Sequence, residues 1–184
     1  MNSTLPRLVD LPQKIKYFLV AFLVLMTIGV TVGLVYVWET TSMSPAGASE
    51  HYSGSVVSGD LDIPEKYPKS VEGMLLTTHT HVISFAMIFL VLGGIFSLNS
   101  LIKGPLKTFF IIEPFVTVLG TFGSIWGMRY LSSGYSYLSI IFGVMTYFTF
   151  YFMVGVVLYD LCLLYTSDAA DEGLGVDLGG RRII

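Results

Sequence analysis

Charge and cysteine are what this chain has least of. Only 12% of its 184 residues are charged, and its single cysteine, Cys162, lies close to the C-terminal end. One thiol excludes an intrachain disulfide framework and every site built on a CxxC or CxxCH spacing. Scarce charge, together with 53% hydrophobic residues and a mean hydropathy of +0.73, excludes an ordinary water-facing surface. The formal net charge is −3; over residues 1–161, eight Lys and Arg against nine Asp and Glu leave −1, so no basic surface suggests nucleic acid. Phosphate cradles, nucleophile elbows and HExxH zinc sites are all missing, and enzyme chemistry has no positive support.

What the chain does have is four long apolar stretches, Tyr17 to Trp38, Met74 to Leu98, Leu106 to Leu131 and Tyr137 to Leu161. Each reaches the ~20 residues that an α-helix needs to cross about 30 Å of hydrocarbon. None alternates as a membrane β-strand does, and helices satisfy their own backbone where lipid offers no partner. The reading is an all-α integral membrane protein, a four-transmembrane-helix bundle. Arg7, Lys14 and Lys16 before the first span imitate a secretory signal, and Ala46, Gly47 and Ala48 beyond it suit cleavage. The apolar run is nevertheless longer than a signal core, which favours retention as a span.

Cationic residues beside short loops set orientation. Arg7, Lys14, Lys16, Lys103 and Lys107 fall on one side, against Lys66, Lys69 and Arg129 on the other. Five against three places the N-terminus and the end of the fourth span in the cytoplasm. Residues 39–73 then form the one sizeable outer loop, rich in turn formers and too short for a core of its own, so it needs a metal, a disulfide or contact with the helices to stay ordered. Within it, Ala46 to Tyr52 is a candidate for a short surface helix.

Gly29-x-x-x-Gly33 in span one and Gly123-x-x-x-Gly127 in span three are spacings that let helix backbones approach closely in lipid. They are candidate faces for a homo-oligomer or a partner membrane subunit. Trp38, Trp126 and tyrosines near the span ends suit interfacial anchoring.

Three histidines fall on the predicted outer side: His51 in the loop, and His79 and His81 in the opening turns of span two, with Met43 and Glu50 nearby in sequence. Neutral imidazole ligates zinc, copper and haem iron, which makes His51, His79 and His81 candidate metal ligands and a haem b or copper/zinc site a reading to test. Residues two apart on a helix diverge by about 200°, so a helix beginning near Gly73 turns only one of His79 and His81 into the bundle. The plainer reading has both at the interface, bonded to Thr77, Thr78, Thr80 or water. Arg129, at the same level, either meets a haem propionate, pairs with Glu50 or Glu72, or snorkels to headgroups.

Glu113, next to Pro114, is the one acid well inside a span, and a carboxylate at that depth points to function. It lies six residues, about 9 Å, beyond Lys107, and pairing with that lysine near the cytoplasmic interface is its simplest account.

The combination of MSPAGASEHYSG in the loop with MLLTTHTHVISFAMIFLVLGGIF in span two resembles small four-helix bacterial inner-membrane proteins. The resemblance, best over Thr41 to Phe96, implies that fold and location, draws attention to His79 and His81, and brings no established activity. At the other end, CLLYTSDAADE and GVDLGGRRII resemble a translated transposase-type sequencing adaptor and its flanking primer, with Gly173 and Leu174 where a barcode sits. That resemblance implies that residues 162–184 are a disordered, non-native tail outside the fold. Three functions are therefore expected as candidates. The first is an outer-face haem or transition-metal protein for electron transfer or metal handling. The others are a cofactor-free structural or assembly subunit, and a small sensor or transporter using Glu113.

Overall fold

A computed structural model describes residues 6–56 and 63–174, with side chains as far as Cys162. Each apolar stretch folds as a helix: α1 (Gln13–Thr41), α3 (Val71–Ser97), α4 (Pro105–Tyr130) and α5 (Tyr135–Leu174), with a short α2 (Pro45–Ser53) between the first two. The described residues contain no strand, and four of the helices are long and apolar enough to cross a membrane. The protein is all-α.

The helix ends follow local chemistry. Ser44 caps α2 by accepting from Gly47 N, with Pro45 in the first turn, and Ser70 caps α3 by accepting from Gly73 N. Pro105 opens α4 after Gly104, whose φ of 66° gives the chain its corner. Ser42 and Met43 both have positive φ, folding α2 back against the end of α1. The sequence places the end of span four at Leu161, yet α5 continues to Leu174. Extending an existing helix carries no nucleation cost, and the Ala-, Leu- and Glu-containing segment has no proline to stop it. Residues 162–174 continue the α5 helix, and 175–184 lie outside the described residues.

The core lies where α3, α4 and α5 meet, with Phe89, Phe110, Phe150, Met153 and Val157 buried. The α4–α5 pair is the closest, because rings of α5 sit directly on glycines of α4. A Cβ on Gly120 would come within 2.8 Å of the Phe142 ring, and one on Gly127 within 2.6 Å of the Tyr135 ring. Of the four glycines singled out by spacing, Gly127 is covered by Tyr135 of its own chain, while Gly29, Gly33 and Gly123 have nothing within 4 Å. α1 is peripheral. Only 11% of its membrane window is buried, against 44% for α4, and it is held chiefly through Leu23 and Val30.

Candidate functional site

The loop between α1 and α3 is fastened to the bundle as a cap. α2 packs on α1, α4 and α5. Ser53 Oγ donates to Met128 O (2.9 Å), and Arg129 Nε donates to Lys69 O (3.2 Å). Backbone bonds from Ser55 N to Lys66 O and from Lys69 N to Tyr52 O tie the two arms of the loop together. Glu50 accepts from Ser55 Oγ (2.8 Å) and from Lys66 Nζ (3.2 Å). One turn before Tyr130 on α4, Trp126 Nε1 donates to Thr78 Oγ1 of α3 (2.9 Å).

Burial has visible electrostatic consequences in this cap. The Tyr52 phenol is pushed up to about 12, first by desolvation and then by the neighbouring Tyr36 and Tyr147 hydroxyls. Lys69 lies 5.2 Å over the Tyr52 ring, and its ammonium is pulled below the usual lysine range by desolvation. His51, edge-on to Tyr52 at 4.8 Å, is held below the ordinary histidine value by burial, then by Lys69 and Lys66. Glu50 is lowered by its Ser55 hydrogen bond and by Lys66.

The predicted ligands are not drawn together. His51 sits on α2, while His79 and His81 both begin exposed on α3. Their divergence follows from helix geometry, since α3 starts at Val71 and holds both in regular turns. His81 Nδ1 lies 2.9 Å from Thr77 O, and its ring is 5.7 Å from that of Phe122 on α4. Among the described residues, no three His, Cys, Asp or Glu are grouped so as to hold a metal ion. Arg129 is engaged with the Lys69 carbonyl and rests over Tyr130 (5.0 Å), so its partner is backbone, while Glu50 pairs with Lys66.

At the opposite end, the 98–104 connection is fixed by buried polar groups that local sequence reasoning missed. Asp160 of α5 accepts from Ser100 N (2.9 Å) and Ser100 Oγ (2.7 Å). Lys107 Nζ donates to Ser97 O (2.9 Å) and Asn99 O (2.8 Å), satisfying carbonyls at the end of α3. This overturns the expected Glu113–Lys107 pair. Glu113 is buried, and neither of its carboxylate oxygens has a hydrogen-bond partner. The only advance signal for Asp160 was its position, an acid at the end of a long apolar run.

Residues 42–168 match the model of Aq_1264_TM, a transmembrane helical domain. The match spans α2, α3, α4 and most of α5, begins just after α1, and takes in residues 162–168. No curated protein and no solved structure matches the chain. Four apolar helices and this match make it a multi-pass membrane protein whose solvent is a lipid bilayer.

Proposed function

We propose, from the premise that the chain belongs to the Aq_1264_TM family of transmembrane helical domains, that it is a cofactor-free assembly subunit that pairs with a second copy of itself along α1. One observation carries this reading. Gly29 and Gly33 have nothing within 4 Å of where a Cβ would stand, and they lie in a stripe with the exposed Leu25, Ile28, Val32 and Tyr36. Residues 25, 28, 29, 32, 33 and 36 share one helix face, distinct from the one that carries the buried Leu23 and Val30. In lipid, apolar burial does not drive association, so close backbone approach over small residues supplies it. A face with small residues flanked by branched ones is self-complementary, which suits a two-fold pair.

The positive-residue count supports placing the α2 cap outside and the 98–104 connection in the cytoplasm of a bacterial inner membrane. Gly29→Ile with Gly33→Ile tests the pairing: crosslinking in native membranes is expected to yield a dimer for the unchanged chain and monomer for the double variant, with the fold retained. Equal crosslinking of both, or a monomer throughout, overturns it. The adaptor origin of residues 162–184 is part of the same proposal, and genomic reads that encode CLLYTSDAADE after Leu161 would refute it.

A further inference from the structure

Glu113 is the one described side chain whose charged oxygens are both sealed from solvent and unpartnered; the residue is 8% exposed. Neither ion pair of the described residues includes it. Its depth follows from the antiparallel packing of α4 and α5. Thr146 Oγ1 donates to Thr117 Oγ1 (3.0 Å), so Glu113, one turn before Thr117, is level with Phe150, one turn after Thr146. Phe89 of α3 reaches the same level, 6.3 Å from Phe150 and 6.5 Å from Phe115. An ionised carboxylate buried at this level has no cation and no donor to offset its lost hydration.

The chemistry of the position selects the ligand. Pro114 has no N–H, so the Phe110 carbonyl lacks its helical donor. A carboxyl group carrying hydrogen supplies a donor in a region that has surplus acceptors. A metal ion needs several converging oxygens, and no such group of acids and histidines exists among the described residues. Two shallow grooves on the surface, one along α1 and one between α1 and α3, do not include Glu113. A proton needs neither a cavity nor further ligands.

We propose that Glu113 is a proton-carrying carboxyl inside the membrane domain, exchanging with the side that bears the 98–104 connection. It stands eight residues from Pro105, about 12 Å, and seventeen from Tyr130, about 25 Å, so that side is the nearer one. The charged groups at that end are Arg7, Asp10, Lys14 and Lys16 before and on α1, Lys103 in the connection, Lys107 on α4 and Asp160 on α5; Lys107 and Asp160 are already bonded to the α3 end and its connection, and Arg7 pairs with Asp10.

Infrared spectra of the full chain in lipid nanodiscs near neutrality test this. The expected result is one neutral-acid carbonyl band that shifts on transfer to deuterium oxide and is lost in Glu113→Gln. Loss of carboxylate bands instead, or a neutral band that does not shift, overturns the proposal. If Glu113→Gln does not reach the membrane, a lipid-soluble carbodiimide on the unaltered chain replaces it. That reagent adds only to a carboxyl holding its hydrogen, so modification mapped to Glu113 is expected, and an unmodified Glu113 overturns the proposal.

Discussion

Replacing Gly127 by alanine puts the α4–α5 contact to a quantitative test. The added Cβ would lie 2.6 Å from Tyr135 Cδ1, 2.8 Å from Cγ and 2.9 Å from Cε1. These are atoms near the root of the ring, and Tyr135 is at the start of α5, four residues after Leu131, so the ring has little room to swing aside. Helix separation must give instead, and overpacking of this kind costs about 1–3 kcal/mol. Gly120→Ala meets Phe142 at 2.8 Å and belongs to the same range. Gly123→Ala meets nothing within 4 Å, and its expected cost is within about 0.5 kcal/mol, as for substitutions that touch no packed feature. Because the helices persist in lipid before they dock, intrinsic propensity contributes little to the difference. Detergent-to-denaturing-micelle titration, followed by tryptophan fluorescence, reads each variant. Equal stability of Gly127→Ala and Gly123→Ala would refute the packing argument.

Two further outcomes are expected. Asp160→Ala leaves Ser100 N–H and Oγ without their acceptor, and should destabilise by about 1–3 kcal/mol in the same titration, with Asp160→Asn costing less because one acceptor oxygen remains. Acid should loosen the cap: His51 is depressed below 6.5 in the folded state, so its contribution is whole above that value and is lost as pH falls below it. Glu50, depressed below 4.5, adds a second loss as pH falls further, since its contribution is present above that value. Protease cutting near Glu65 should rise on acidification in the first window, and His51→Gln should remove that rise; a cut rate flat across pH contradicts it.

The four spans were legible because lipid imposes a length and a composition that nothing else in the sequence imitates, and observed and expected limits of α3 and α4 differ by a few residues at most. Partners were less legible, since they depend on tertiary reach. Lys107 stands one helical stretch from Glu113, yet its ammonium is used by Ser97 and Asn99 at the end of another helix. Glycine spacing announced close packing but not its face: the rings of Phe142 and Tyr135 chose Gly120 and Gly127, seven residues apart, over Gly123. The histidines shared a side of the membrane in the sequence, which fixes depth and leaves direction around the helix open. The acceptor of Arg129, the Lys69 carbonyl, is sixty residues away and carries no side-chain signal.

Two-sided cysteine labelling of intact cells tests the bundle most directly. In a Cys162→Ser background, Glu65→Cys in the cap and Lys103→Cys in the connection are separated by α3 alone. A membrane-impermeant maleimide is expected to label Glu65→Cys at once and Lys103→Cys only after the membrane is opened. Labelling of both positions from the same side would contradict a spanning α3, and with it the four-helix account.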